Sequence, residues 1–284
     1  MNAYLEIIRP GNVVMAMIAI VLVAIVGSTY NLSMVIAALT VFFAISAGNV
    51  INDVFDYEID LINRPDRAIP SGRISLENGR KYAYFLFVCS AICGIINSLI
   101  VLNPIPAIIV IFALIALYFY ASTLKATPLI GNFLVGFMTC LCFIFGGFCA
   151  GLSTGNEQII YVAAFLGFFA LLATMGREIT KDIEDMEGDK AQGAKTFPII
   201  YGTKLSSILV FISVFVACAL SPLLYITGIF NALFLVIIAI SVIFFLYSII
   251  ILLLKSTPET AHKTSKYLKI AMLIAFISFA IGSF

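Results

Sequence analysis

Apolar segments of about 20 residues, the length that spans the hydrocarbon core of a bilayer, recur along this chain between short polar breaks. Nine are read, at residues 13–29, 32–51, 82–102, 106–123, 130–151, 159–176, 205–226, 232–254 and 267–284. With 62% hydrophobic and only 11% charged residues, the chain carries more apolar surface than a water-soluble core could hide, so its solvent is lipid. Each segment is twice the length of a barrel strand, and open sheet edges go unsatisfied in lipid; the spans are therefore expected to be helices. The expected class is an all-α membrane protein, a single membrane domain over residues 1–284. The first segment is read as a span, because it is long and lacks a small-residue cleavage site.

Charge placement orients the chain. If the N-terminus is cytoplasmic, all 16 Lys and Arg fall on the inner side, and the outer connections around Tyr30, Asn103, Thr154 and Gly228 hold none. This predicts a multi-pass protein of the cell membrane with its N-terminus and charged loops in the cytoplasm. The alternation also supports nine crossings, since a missed span would scramble it. All six cysteines lie in apolar segments, where a free thiol packs as a small hydrophobe. With the one histidine, His262, read in a distant loop, no zinc set assembles.

Most of the remaining charge sits in two long inner connections, about 52–81 and 181–204. Long charged loops in so economical a chain point to function. The first opens on Asp53, Asp56 and Asp60 and the second on Asp182, Asp185 and Asp189, both spaced D-x-x-D-x-x-x-D. At about 100° per residue these positions fall within about 60° of one another on a helix, with Asn49 joining the first set one turn earlier. Six clustered carboxylates repel one another unless something positive sits between them. Oxygen donors without thiolate or imidazole suit Mg²⁺, which shares its sphere with substrate phosphates. A single such run reads most simply as a solvated helix end paired with nearby cations; two runs of identical spacing on one membrane face read as a metal and diphosphate site.

The segment from Asn63 to Arg73 is turn-rich, and Arg64, Arg67 and Arg73 project from it. Guanidinium forks match phosphate oxygens. Lys125, Lys181, Lys195 and Arg9 offer further positive charge, whereas Lys255, Lys263, Lys266 and Lys269 are read as orienting charges only.

Together these residues make the chain resemble the UbiA-type intramembrane prenyltransferases. The resemblance rests on N-x-x-x-D-x-x-D at Asn49, Asp53 and Asp56, on D-x-x-D at Asp182 and Asp185, on the Arg-Pro-rich stretch 64–70, and on Tyr118 and Tyr120 followed by Lys125. It implies nine helices around a central cavity, capped on the cytoplasmic side by the loops after helices 2, 4 and 6. Catalysis by Asp53, Asp56, Asp182 and Asp185 is implied, with Mg²⁺ as cofactor. The motif wording around 52–65 and 176–185 is most similar to the archaeal branch, which joins geranylgeranyl diphosphate to geranylgeranylglyceryl phosphate in the second ether bond of archaeal lipids. The expected partners are thus a prenyl diphosphate donor, a lipid-phosphate acceptor and membrane lipid, with no nucleic acid; protein partners are not readable. Ionisation of an allylic C–O bond leaves a cation that the rings of Tyr118, Tyr120 or Phe133 could face.

Two rivals stand beside this reading. The same chemistry could serve an aromatic or quinone-precursor acceptor. An ion-coupled transporter would also carry intramembrane acids, but here the acids sit at the inner helix ends rather than at mid-membrane.

Overall fold

The computed structural model describes residues 2–125, 127–191 and 193–284. It is all-helical, with no strand among the described residues. Among the described residues eight helices are long and apolar enough to cross a membrane, and a shorter apolar helix of 17 residues, α2 (Pro10–Val26), precedes them.

The chain begins with α1 (Ala3–Ile7), capped by Asn2, whose side chain accepts from the Tyr4 N–H at 3.0 Å. Arg9, at φ 53°, turns the backbone through the left-handed region, and Pro10 then opens α2 at a position that needs no N–H donor. There follow α3 (Leu32–Phe55), α4 (Tyr57–Asn63), α5 (Leu76–Ile100) and α6 (Ile105–Phe119), which runs into a π turn (Tyr120–Leu124). The second half comprises α7 (Ile130–Thr154), α8 (Gln158–Glu184), α9 (Met186–Ala191), α10 (Phe197–Tyr201), α11 (Thr203–Leu220), α12 (Leu223–Ile226), α13 (Ala232–Leu254) and α14 (Pro258–Gly282).

Several helices extend past their apolar stretches. Ser75 caps α5 seven residues before the expected start at 82, and α8 runs on to Glu184 rather than stopping near 176. Thr257 caps α14, whose Pro258 start takes in His262, a residue expected in a loop.

Two compact units are distinguished, Met1–Leu124 with Leu141–Ala164, and Lys125–Cys140 with Phe165–Phe284. In the first, Ile7 and Ile8 pack with Ala47, Val50, Ile51 and Val54 of α3 and with Ile69 and Ile74 of the following loop, so the N-terminal segment is seated beside the end of α3. The first unit also pairs polar groups between helices: Ser33 Oγ donates to Asn97 Oδ1 at 2.6 Å, and Asn97 Nδ2 to the Ser33 carbonyl at 2.9 Å. Asn97 thus bonds between helices, as a lone polar residue in a span is expected to.

In the second unit Ile179 and Ile183 of α8 are buried among Val210 and Val214 of α11, Ile249 and Leu252 of α13, and Leu268 of α14. Gly136 is needed here: a Cβ on it would lie 2.8 Å from the Leu171 carbonyl oxygen, so glycine lets α7 and α8 approach backbone to backbone. Side chains such as Val236 and Ile243, 63% and 65% exposed, face outward as lipid requires.

Candidate active site

The first acidic run lies where α3 gives way to α4. The regular helix breaks at Asp56 (φ −83°, ψ 1°), so the three acids do not stand on one uninterrupted helix. The hydrogen-bond ladder survives the break: the Asp56 N–H donates to the Asn52 carbonyl at 2.9 Å and the Asp60 N–H to that of Asp56 at 2.8 Å. Asp53 and Asp60 therefore remain close enough to share one guanidinium. Arg67 Nη1 reaches Asp53 Oδ1 at 3.2 Å and Asp60 Oδ2 at 2.5 Å. Arg9 adds a second ion pair to Asp53. With Asp53 and Asp60 4% and 5% exposed, carboxylates so buried require cationic partners.

Asp56 is turned otherwise, its Oδ2 accepting from Asn52 Nδ2 at 2.8 Å. Asn49, expected to join the acids, donates its side-chain amide to the Ile8 carbonyl at 2.7 Å and so ties the N-terminal segment to α3. Arg73 performs a related task. Its fork meets both oxygens of Glu6, at 2.6 and 2.7 Å, and also donates to the Asp66 carbonyl at 2.7 Å. That hydrogen bond holds the Glu6 carboxyl below its usual range. Of the three loop arginines, Arg67 is on the acids, Arg73 is on α1, and Arg64 is exposed.

Tyr118 lies edge-on to Phe55, with ring centroids 5.5 Å apart, which brings it beside the first run. Tyr120 opens the π turn, whose Ala121 is buried in the same core as Val54. The π turn closes α6 and leads directly to Lys125. Phe133 is 48% exposed and stacks on Phe137 at 6.0 Å.

The second run repeats the construction. Helix α8 ends at Glu184, the chain bends at Asp185 and α9 begins at Met186. The ladder again persists, with the Asp185 N–H on the Lys181 carbonyl at 2.8 Å and the Asp189 N–H on that of Asp185 at 3.0 Å. Asp182 accepts from Asn132 Nδ2 of α7 at 2.7 Å. Asn132 sits one turn before Gly136, so the close approach of the helices and the amide contact occur on one face of α7.

Lys181, expected to meet phosphate, pairs instead with Glu178 at 3.2 Å, as does Arg177 at 2.9 Å. Lys195 is exposed. Glu184 Oε1 lies 2.5 Å from His262 Nδ1, and its Oε2 accepts from Ser265 Oγ at 3.0 Å. Sequence reasoning missed Asn132, Glu178 and Glu184 as parts of this arrangement. The one signal for Asn132 was an isolated amide in an apolar span.

Among the described residues no group of three or more His, Cys, Asp and Glu side chains converges to cage a metal ion. The donor chemistry nonetheless fits Mg²⁺, which takes one or two carboxylates from the protein and completes its sphere with water and substrate phosphate. Both runs offer only oxygen ligands at helix ends.

A family model described as "UbiA prenyltransferase family" matches residues 12–278. A digeranylgeranylglyceryl phosphate synthase of Methanobrevibacter smithii is 59% identical over 285 residues, covering 100% of this chain and 99% of the relative. A solved structure concerned with digeranylgeranylglyceryl phosphate synthase in membranes superposes with a TM-score of 0.83 at 38% identity, over 99% of this chain and 97% of the other. A homologue from Archaeoglobus fulgidus, solved bound to GPP and Mg²⁺, shares the fold with a TM-score of 0.64 at 14% identity, over 98% and 99% of the two chains.

Proposed function

This chain belongs to the UbiA prenyltransferase family, and from that premise we propose that it transfers a geranylgeranyl group from geranylgeranyl diphosphate to geranylgeranylglyceryl phosphate in a Mg²⁺-dependent reaction. The observation that carries the reading is the doubled construction: each D-x-x-D-x-x-x-D run ends a long apolar helix, bends at its second Asp and continues as a short helix. The acceptor rests on the full-length likeness to synthases of that name. The multi-pass chain crosses the membrane nine times in this reading, with α2 as the first crossing and the acidic runs cytoplasmic, as the one-sided placement of Lys and Arg supports.

Asp53, Asp56 and Asp60, with Asn49 beside them, and Asp182, Asp185 and Asp189 are assigned to hold Mg²⁺ against the donor's diphosphate. When bound, Mg²⁺ neutralises the negative charge that develops on the leaving diphosphate. Arg67 and Arg9 are assigned to that diphosphate as well, because guanidinium groups that engage carboxylate oxygens fit phosphate oxygens equally well. Arg64, Lys125 and Lys195 between helices, and Lys181 in the last turn of α8, are assigned to add positive charge. Tyr118 and Tyr120 are assigned to the reacting end of the prenyl chain, where ring faces stabilise an allylic cation by roughly 0.5–2 kcal/mol each. The surrounding apolar helices keep water from quenching that cation.

The test uses membranes containing the protein, labelled geranylgeranyl diphosphate, and geranylgeranylglyceryl phosphate offered beside an aromatic acid. Label in the glycerol phosphate alone, lost with EDTA or with Asp53→Ala or Asp182→Ala, is the expected result. Label in the aromatic acid would retain the transfer chemistry and overturn the acceptor; label in neither would overturn both.

A further inference from the structure

The last turn of α8 is held from two directions. On one side Asn132 of α7 donates to Asp182 at 2.7 Å. On the other, two residues further along, Glu184 meets both His262 at 2.5 Å and Ser265 at 3.0 Å, one carboxylate oxygen to each. His262 and Ser265 stand three residues apart in the first turns of α14 and so present one face. At about 100° per residue, Asp182 and Glu184 point roughly 160° apart around α8. A helix gripped at two such points cannot rotate about its axis. The chain bends at Asp185, the residue after Glu184, so this grip sets where the second acidic run points as it leaves the helix.

We propose that His262, with Ser265, is a positioning residue: by anchoring Glu184 to α14 it directs Asp182 and Asp185 toward a divalent cation. The inference rests on the metal-holding reading of that acidic run. As an ion pair alone the contact would add little, since the His262 side chain is 52% exposed and exposed pairs contribute weakly to stability. Its consequence is orientation. Residues that orient metal ligands without touching the metal commonly change affinity by about tenfold or more when removed.

The test measures Mn²⁺ binding by electron paramagnetic resonance on the full chain in lipid nanodiscs, in an Asp53→Ala background so that the signal reports the second run. His262→Ala is expected to weaken Mn²⁺ binding about tenfold. With Asp53 intact, the same variant should raise the Mg²⁺ needed for half-maximal prenyl transfer by a similar factor while leaving the rate at saturating Mg²⁺ nearly unchanged. His262→Gln, which keeps an N–H donor for Glu184, should restore both, and Asp182→Ala should abolish the Mn²⁺ signal. Wild-type binding in His262→Ala with loss in Asp182→Ala would overturn the positioning role and leave the metal reading standing. Wild-type binding in Asp182→Ala would overturn the metal reading and the positioning role with it. Equal loss in His262→Ala and His262→Gln, accompanied by a lower thermal midpoint, would reduce the contact to a structural one and also overturn the proposal.

Discussion

Asn132 offers the sharpest probe of the second acidic run, because it is 7% exposed and its side-chain amide donates to Asp182. Asn132→Leu keeps a similar volume in an apolar helix but removes the amide that fixes the carboxylate. A hydrogen bond to a charged acceptor contributes roughly 1.5–3 kcal/mol, and the partly exposed setting of Asp182 puts this one near the lower figure, about 1.5 kcal/mol. At 1.4 kcal/mol per tenfold, that corresponds to about a tenfold change in an equilibrium constant. If the amide holds Asp182 ready for Mg²⁺, the cost falls on metal capture: the Mg²⁺ giving half-maximal transfer should rise about tenfold, while the rate at saturating Mg²⁺ changes much less. The assay is labelled geranylgeranyl transfer in membranes across a Mg²⁺ titration, with Asn132→Gln as a partial rescue. An Asn132→Leu enzyme that half-saturates at the wild-type Mg²⁺ concentration would refute the reasoning, since the amide would then orient nothing the metal uses.

Three further outcomes follow from the geometry. Arg67→Ala strips the shared guanidinium from two buried carboxylates and should destabilise the protein by about 3 kcal/mol, read as a lower thermal midpoint in nanodiscs, with Arg67→Lys recovering only part because a single ammonium cannot reproduce the fork. Glu6 is held below its ordinary value of 4.5 by Arg73, so its contribution is present above that value and is lost as pH falls through the lower folded one. Hydrogen exchange of residues 2–8, corrected for intrinsic rate, should therefore accelerate on acidification in the wild type, and not in Glu6→Gln. Gly136→Val forces a Cβ to 2.8 Å from the Leu171 carbonyl; separating the helices there should cost roughly 1–3 kcal/mol and break the Asn132 contact, visible as a lower thermal midpoint together with a raised Mg²⁺ requirement.

How far the sequence could be read follows from what lipid demands. A bilayer dictates length and apolarity, so the long apolar helices were legible. Hydropathy falls silent where a helix continues into polar residues, and that is where the residues proposed to hold and position the metal lie. Asp53 lies in the last turn of α3, Asp182 in the last turn of α8, and His262 in an early turn of α14, all beyond the apolar stretches that announced those helices. Capping explains how such turns persist without a hydrophobic face: Ser75 and Thr257 satisfy N–H groups that lipid packing does not reach.

Helical spacing correctly joined Asp53 to Asp60 because the hydrogen-bond ladder continues through the break at Asp56; the break itself could not be read, since no Pro or Gly marks it. Contacts between distant parts of the chain were invisible for a different reason. Asn132 meets an acid 50 residues away, and Glu184 a histidine 78 residues away, pairs that exist only once α7, α8 and α14 are packed. The two acidic runs accordingly share a sequence spacing and a bend but differ in what holds them. The first is secured by guanidinium groups from its own loop and from the N-terminal segment, so the same cations can serve carboxylate and phosphate. At the second, Asp182 is held by a neutral amide rather than by a guanidinium, so if the proposed Mg²⁺ binds there, substitutions around the second run should register first in the Mg²⁺ requirement, those around the first in stability.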